Sequence, residues 1–391
     1  MITFFFTFKD VGGVQVLIFN LMRELFRNNI RTKLIYHKDS WLTTELDKYN
    51  IGYEFFNIED INKKGIKEFI HHDDIIVPFM LFKELIFFRK INPFLLFWSV
   101  YPYALGSYNN DYKFHSKLVR KRLIKKMVRK SGLVFMDDVG VNFIENQFGL
   151  KINASLLSIP ISIYNENKFL NRQNINYNNK INVTYLGRAV DWKVYPVIKV
   201  INDINNCKYE RKEIVLHIIT DDVEYFKKLL KNAYPNFEIK FYSGLSGDEL
   251  SNFLITKSDL HIAMGTSCLE GSSLGIPSIL IDFSFSEFPN DYLYRWIFEN
   301  EKNCLGEFLE NSKKVNSGHS FSKILSYYEK SERNGLSVIS DKCFKYTNQN
   351  HSIESVAKSF MNSCMNSNLK ITDVLYNDLY YVKQILTNTY K

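Results

Sequence analysis

The sequence predicts an α/β protein of two domains, each a parallel β-sheet with helices packed against it. At 391 residues and 46% hydrophobic content, the chain is long enough for two substantial cores. Short apolar runs alternate with segments of helical periodicity, which is the pattern of βαβ units. The same pattern starts again near Ile181, so two similar halves are expected.

The first half alternates strands and helices from its beginning. Ile2–Phe8 is a predicted strand, and apolar residues recur at helical spacing from Val14 to Phe26. Further strands are predicted at Thr32–Tyr36, Ile75–Pro78, Leu95–Val100 and Gly132–Met136.

The second half follows a segment, Ser162–Lys180, that is rich in Asn and Lys and lacks periodicity. We expect a linker at 162–180 between a Rossmann-like domain at 1–161 and a second one at 181–345. Strands are predicted at Ile181–Gly187, Ile214–Thr220, Ile239–Tyr242 and on both sides of Glu270. The two domains should face a cleft, and helices within 346–391 should pack back across the domain junction.

The stretch from Asp259 to Asp282 is the most informative part of the chain. It has the pattern of a strand, a glycine turn, a very short helix, a Gly-Ile-Pro turn and a second strand. Gly265 ends the first strand, and either Thr266 or Ser267 is expected to cap the helix, because a hydroxyl satisfies its unpaired amides.

Such a helix makes an anion site at the edge of a parallel sheet. Its N-terminus attracts anions through free amides and the helix dipole. Glu270 lies about one turn inside the helix, within reach of a sugar hydroxyl beside a bound phosphate. A glutamate that only faces solvent would show the same pattern, so the motif alone leaves both interpretations open.

A second candidate anion site follows the strand at Ile181–Gly187. Arg188 and Lys193 lie just beyond the strand end, on or near a loop. Arg offers a rigid fork of donors and Lys a compact ammonium, which together suit a diphosphate. Two solvated loop cations are the alternative. The order of the segments favours a site, because open parallel sheets bind ligands beyond the carboxyl ends of their strands.

Together these segments resemble a known family. G-R-x-x-x-x-K at Gly187–Lys193, followed by G-T-S-x-L-E-x-x-x-x-G-I-P at Gly265–Pro277, resembles the donor domain of GT-B glycosyltransferases. The similarity is greatest to the large retaining family, family four or group 1, that builds bacterial lipopolysaccharide and capsule. V-G-G-V-Q-V-L-I-F-N-L-M-R-E-L at Val11–Leu25 resembles the opening of the same family. The resemblance is weak in residues 40–180.

The resemblance implies roles for particular residues. Arg188 and Lys193 should hold the donor diphosphate, together with the helix N-terminus at Gly265, Thr266 and Ser267. Glu270 should bind the nucleotide ribose. Gly12 and Gly13 should lie near the donor phosphates or the acceptor, although glycines that only form a tight turn would look the same.

One position departs from the family pattern. The family usually carries a second glutamate before this helix, which contacts the transferred sugar, and Ile262 stands at that place. The departure leaves the donor sugar and the stereochemical outcome open. The expected diphosphate and ribose contacts are unaffected.

Composition and isolated motifs narrow the function classes. The five cysteines are scattered without C-x-x-C, which indicates a reducing cytosol and no structural zinc site. The run His71–Asp74 is interpreted as a surface turn rather than a metal site, and His217 and His261 as core residues. Neither Asp137-Asp138 nor Asp221-Asp222 is a spaced D-x-D, so no metal and no other cofactor is expected.

The charge of +8 is concentrated in one segment, Lys113–Lys130, which contains no acidic residue. At helical spacing, Val119, Leu123, Ile124, Met127 and Val128 fall on one arc. Lys117, Lys121, Arg122, Lys125, Lys126 and Arg129 fall on the opposite arc, and Arg120 is out of place. Such a helix can lie on an anionic membrane surface or bind a lipid phosphate, and an ordinary solvated face is the alternative.

The predicted function is therefore glycosyl transfer. We expect a metal-independent, retaining hexosyltransferase that moves a sugar from a UDP- or GDP-sugar to a glycan or lipid-diphosphate-linked acceptor in cell-surface polysaccharide synthesis. It should be cytoplasmic, peripheral on the inner face of the cell membrane, and should not bind nucleic acid. An NAD-type oxidoreductase and a UDP-sugar epimerase are the alternatives, and the sequence identifies no catalytic base.

Overall fold

The computed structural model describes residues 1–9, 12–61, 65–79, 83–101, 105, 117–161, 180–207, 213–230, 235–300, 303–309, 317–330 and 335–374. Most of the predicted linker, residues 162–179, lies outside these ranges, as do residues 375–391 of the segment in which C-terminal helices are predicted. The chain divides into two compact units, Met1–Pro160 with Ile353–Lys391, and Ile161–Ser352. The domain boundaries drawn from the sequence stay a prediction.

The elements are numbered in chain order. The strands are β1 (Ile2–Phe5), β2 (Thr32–Tyr36), β3 (Glu54–Asn57), β4 (Ile75–Pro78), β5 (Phe94–Leu95), β6 (Phe97–Ser99), β7 (Leu133–Phe135), β8 (Ser155–Leu156), β9 (Lys180–Leu186), β10 (Glu213–Ile219), β11 (Glu238–Tyr242), β12 (Leu260–Ala263), β13 (Ser278–Leu280) and β14 (Arg295–Trp296). The helices are α1 (Gly13–Arg27), α2 (Trp41–Lys48), α3 (Ile66–Phe69), α4 (Lys117–Arg129), α5 (Asp138–Phe148), α6 (Val194–Asn206), α7 (Val223–Leu229), α8 (Gly247–Lys257), α9 (Thr266–Ser273), α10 (Phe321–Lys330), α11 (Gly335–His351), α12 (Ile353–Asn366) and α13 (Ile371–Val374).

The first unit contains a parallel sheet in the order β3-β2-β1-β4-β5. The strand predicted at Leu95–Val100 is two strands instead, because β6 pairs with β7, which in turn pairs with β8, in a separate parallel sheet. Residues Ser367 and Leu369, from the C-terminal part of the chain, bind Leu95 where the two strands separate. The Leu95 amide donates to the Leu369 carbonyl at 2.8 Å, and the Ser367 hydroxyl donates to the Leu95 carbonyl at 2.7 Å.

Helix α12 returns the chain to the core of this first unit. Phe360 on α12 stacks between Phe4 of β1, at 5.7 Å, and Trp98 of β6, at 5.9 Å between ring centroids. All three rings are fully buried. The C-terminal segment therefore completes the first hydrophobic core, and its packing is the reason that it belongs to this unit.

The second unit repeats the same strand order, β11-β10-β9-β12-β13, with β14 added antiparallel at the edge. Both sheets therefore build outward from a central first strand, the doubly wound arrangement predicted from the alternation of elements. Successive strands are added on one side of β9 up to β11 and on the other side from β12 onward, and the carboxyl ends of β9 and β12 are neighbours because Ala263 pairs with Leu186. This is the topological switch point at which such sheets bind ligands. Within the described part of the chain, no helix has both the length and the apolar character that crossing a bilayer requires.

Helix α9 packs unusually closely onto β12. A Cβ placed on Gly271 would overlap the ring of His261, which is fully buried. The His261 Nε2 donates to the Ser267 carbonyl at 2.8 Å, since a carbonyl oxygen only accepts, and Nδ1 lies 2.9 Å from the Thr184 hydroxyl. His261 is thus a satisfied core residue, as predicted, and it fixes the first turn of α9.

His217 is also a satisfied core residue. Its Nε2 lies 3.0 Å from Asn182 Oδ1 and its Nδ1 lies 3.1 Å from the Tyr242 hydroxyl. Burial, with the charge of Lys240, lowers the pKa of His217 to about 4. The imidazole is therefore neutral at physiological pH.

Replacing Gly271 with alanine should destabilise the second unit by about 1–3 kcal/mol, because the added methyl group must displace His261. Thermal unfolding measures the loss. Gly13→Ala is the matched control, since nothing lies within 4 Å of a Cβ at Gly13. Equal melting temperatures for Gly271→Ala and the wild type would show that the packing of α9 on β12 is looser than described.

Candidate functional site

The loop after β9 carries two of the predicted site residues. Arg188 is exposed, and Lys193 ends a 3₁₀ turn, Asp191–Lys193, that leads directly into α6. The Tyr185 hydroxyl donates to the Lys193 carbonyl at 3.2 Å and anchors this turn to β9. The side chain of Lys193 is 8% exposed, which is unusual for a lysine.

Lys193 is a buried cation for which the described part of the chain offers no partner. Among the described residues, its ammonium makes no hydrogen bond or ion pair, and its nearest aromatic contact is the Trp192 ring at 5.2 Å. Burial and, to a smaller extent, the charge of Arg188 lower the pKa of Lys193, while Asp221 opposes the shift, and the resulting pKa is about 8. The ammonium is still charged at neutral pH, so it is available to an anion.

The N-terminus of α9 faces the same edge of the sheet. Gly265 is the N-cap, and its φ of 63° is one that an L-residue rarely adopts. The expectation that Thr266 or Ser267 caps α9 is wrong, because Thr266 is the first helical residue and no side chain caps the helix. The positive φ of Gly265 moves the helix start one residue earlier. The uncapped first turn retains amide donors for a ligand.

Glu270 is the second unpaired ionisable group. The residue as a whole is only partly exposed, and its carboxyl is largely surrounded by protein atoms. Among the described residues, the carboxyl has no hydrogen-bond or ion-pair partner. Burial raises the pKa of Glu270 to about 7. A carboxylate in this state is destabilised until hydroxyl donors reach it.

Ile262 lies inside β12 and is fully buried, with Tyr185 and Ile279 as its neighbours on the adjacent strands. The connection from β12 to α9 consists of only Met264 and Gly265. A side chain at position 262 therefore points into the core.

Gly12 and Gly13 begin α1 in the first unit. Gly12 has an extended φ of −155°, and a Cβ on Gly13 would meet nothing within 4 Å. A tight turn therefore does not explain the glycine pair. Gln15, which the sequence analysis missed, holds the preceding loop: its amide donates to the Phe8 carbonyl at 3.0 Å, and its Oε1 accepts from the Gly12 amide at 3.0 Å. Its position on the otherwise apolar face of α1 is the sequence feature that could have identified Gln15.

The basic helix α4 is only partly as predicted. Ile124 and Met127 are buried, but Val119 is 43% exposed, because the whole first turn lies outside the core. The predicted residues 113–116 lie outside the described residues. Arg120, out of place in the pattern, packs over the Phe148 ring at 5.7 Å.

The cations of α4 fall into two groups. Lys121 donates to the Gly149 carbonyl at 2.9 Å, and Lys126 pairs with Asp373 at 3.1 Å. Lys117, Arg122, Lys125 and Arg129 are exposed and have no hydrogen-bond or ion-pair partner among the described residues. The basic face is therefore narrower than the sequence indicated.

The run His71–Asp74 is a turn whose last residue is buried. Asp74 Oδ2 accepts from Lys33 Nζ at 2.8 Å and from the His71 amide at 2.9 Å. Asp74 therefore has a structural role. Among the residues that the structure describes, no group of three or more His, Cys, Asp or Glu side chains could hold a metal ion.

Replacing Glu270 with glutamine should stabilise the protein without ligand at pH 8. The folded pKa of about 7 lies above the ordinary glutamate value of 4.5, so the stability linked to Glu270 is present below about pH 4.5 and lost as the pH rises through 7. The gain at pH 8 should reach at most about 3 kcal/mol and should vanish near pH 4.5.

Thermal unfolding of Glu270→Gln at the two pH values measures this difference. Glu249→Gln is the matched control, because Glu249 is exposed on α8 and should change stability by less than about 0.5 kcal/mol. A variant that is equally or less stable than the wild type at pH 8 would contradict the unpaired, desolvated state of Glu270.

Comparisons with known proteins find no match to a protein-family model and no match to a curated protein sequence. Solved structures do match. A glycosyltransferase from Rickettsia africae ESF-5 aligns with a TM-score of 0.62 at 13% identity, over 96% of this chain and 99% of that chain.

Two further structures cover nearly the same length. HepE from Anabaena, solved with UDP and glucose, aligns with a TM-score of 0.57 at 13% identity, over 93% of this chain and 99% of that chain. The lipopolysaccharide outer core galactosyltransferase WaaB aligns with a TM-score of 0.53 at 14% identity, again over 93% and 99%. The chain therefore has the GT-B fold of these glycosyltransferases, the fold that its sequence motifs predicted.

Proposed function

We propose that this protein is a glycosyltransferase that moves a sugar from a nucleotide-diphosphate donor to a glycan or lipid-linked acceptor. One observation carries the proposal: a buried cation and a largely enclosed carboxyl, both unpaired among the described residues, accompany an uncapped helix N-terminus at the switch point of a doubly wound sheet. Each of these groups lacks the kind of partner that a nucleotide sugar provides.

The chemistry follows from the charges. Negative charge accumulates on the departing diphosphate as the glycosidic bond breaks, and preorganised cations and amides stabilise that charge. Arg188 and Lys193 would neutralise the diphosphate, and the amides of Thr266 and Ser267 would donate to it. The carboxylate of Glu270 would accept from the ribose hydroxyls, which replace the water lost on burial.

The solved relatives support this choice among nucleotide-binding enzymes. HepE was solved with UDP and glucose, and WaaB is named as a lipopolysaccharide galactosyltransferase. Their fold supports a nucleotide-sugar donor and a cell-surface polysaccharide acceptor for this protein. We assign Gly12 and Gly13 to the acceptor or donor-phosphate side, because the space above Gly13 is open.

Helix α4 is the proposed membrane face. Leu118, Arg122, Lys125 and Arg129 follow the i, i+4, i+7, i+11 positions of one helix face, and Leu118 is 56% exposed. Exposed cations beside an exposed leucine suit the headgroup layer of an anionic bilayer. This location would place the enzyme peripherally on the inner face of the membrane, where lipid-diphosphate acceptors are found.

Replacing Arg188 with alanine or Lys193 with methionine should lower transfer from a nucleotide sugar by at least about tenfold, because either change removes a charge that stabilises the departing diphosphate. Screening UDP- and GDP-sugars, with and without a chelator, identifies the donor and tests metal independence. Lys228→Ala, an exposed cation on α7, is the control. Wild-type rates in both site variants would exclude Arg188 and Lys193 from the reaction.

Neutralising Arg122, Lys125 and Arg129 together with glutamine should weaken binding to vesicles that contain anionic phospholipid by about tenfold or more at low salt. Vesicle flotation measures the change. A variant with Lys227, Lys228 and Lys240 replaced by glutamine loses the same charge elsewhere and should bind like the wild type. Equal flotation of all three proteins would rule out α4 as the membrane face.

A further inference from the structure

The loop after β9 is held by the neighbouring strand. β10 pairs in parallel with β9, and Ile219 lies opposite Leu186 at the carboxyl end of the pair. The Gly187 amide donates to the Ile219 carbonyl at 3.1 Å. The residues that follow β10 therefore lie alongside the loop that carries Arg188 and Lys193.

Asp221 is the residue that joins the two loops. Its Oδ1 accepts from the Ala189 amide at 2.6 Å and from the Thr220 hydroxyl at 3.3 Å. Ala189 directly follows Arg188, so this bond fixes the backbone from which the guanidinium extends. Partial burial alone would raise the pKa of Asp221, but backbone amide donors and the Thr220 hydroxyl hold the pKa below its usual value. The carboxylate is thus ionised at neutral pH.

Asp221 also acts on the charge of Lys193. Two charged groups among the described residues shift the pKa of Lys193 in opposite directions: Arg188 on the same loop lowers it and Asp221 raises it. Burial and Arg188 both favour the neutral amine. Asp221 is therefore the described charge that favours the protonated form of the unliganded Lys193.

We propose that Asp221 is a positioning residue for the diphosphate site: it fixes the loop that carries Arg188, and its negative charge acts on Lys193 before the ligand arrives. The inference rests on the proposed function, because it gives Arg188 and Lys193 the diphosphate as their ligand. Asp221 itself need not touch the nucleotide. Its exposed carboxylate is screened by solvent, so its repulsion of the diphosphate is small.

Two substitutions separate the geometric role from the electrostatic one. Asp221→Asn retains an oxygen that can accept from the Ala189 amide but removes the charge, and Asp221→Ala removes both. Asp222→Ala is the matched control, because Asp222 caps α7 by accepting from the Tyr225 amide at 2.9 Å. It should lose about 1 kcal/mol of stability through the cap alone.

The experiment measures the affinity for UDP and GDP between about pH 7 and 9.5, a range that spans the Lys193 pKa of about 8. Wild-type affinity should fall as the pH rises through this pKa. In Asp221→Asn the fall should occur at lower pH, and Asp221→Ala should in addition bind about tenfold more weakly at pH 7. Asp222→Ala should keep the wild-type profile despite its lower melting temperature.

The outcomes distinguish the inference from the function on which it rests. If the affinity of the wild type for UDP and GDP falls as the pH rises and both Asp221 variants show the same pH profile, the role of Asp221 is excluded and the proposed diphosphate site stands. If Asp222→Ala shifts the profile as Asp221→Asn does, the shift reflects general loosening and the inference is overturned. If the wild type binds neither nucleotide, or Lys193→Met binds as tightly as the wild type, both proposals fail.

Discussion

The account depends on two ionisable side chains that are largely enclosed by protein and have no hydrogen-bond or ion-pair partner among the described residues. Lys193 and Glu270 each carry a pKa shifted by burial towards the neutral form, to about 8 and about 7. In a site with only a structural role, such groups would be paired, because an unpaired buried charge costs stability. This cost in stability is explained if a ligand supplies phosphate oxygens to Lys193 and hydroxyl groups to Glu270.

The sheet determines where these groups can lie. β9 and β12 are adjacent although the chain between them builds β10 and β11, so the loop with Lys193 and the helix with Glu270 begin at neighbouring strand ends. Gly265 turns the chain into α9 within two residues, and Gly271 and His261 hold that helix against β12. The short connection that brings the helix amides to the sheet edge also buries Ile262.

The sequence predicts the local elements well, since hydrophobic periodicity and the glycines and prolines that end helices and strands are local signals. Thr32–Tyr36 and Ile75–Pro78 match their strands residue for residue. The prediction from sequence fails where contacts with residues distant in the chain determine the local structure. Leu95–Val100 is an apolar run that reads as one strand, but Ser367 and Leu369 take the hydrogen bonds of Leu95 and divide it. Thr266 does not cap α9, because the positive φ of Gly265 makes Gly265 the N-cap. Lys121 and Lys126 of α4 also have partners in other segments of the chain, which the helical pattern of α4 does not show. Arg188, Lys193 and Glu270 follow from the motif, whereas only the three-dimensional structure shows that Lys193 and Glu270 have no partner among the described residues.

The most direct test of the central claim is the proton exchanged when the protein binds its nucleotide sugar, measured by calorimetry in buffers of different ionisation enthalpy. A nucleotide sugar has no titrating phosphate in the relevant range, so the exchanged protons belong to the protein. Near pH 6.5, binding should release protons as the ribose favours the Glu270 carboxylate, and near pH 8 it should take up protons as the diphosphate favours the Lys193 ammonium. A binding heat that is independent of the buffer at both pH values would show that neither group meets the ligand.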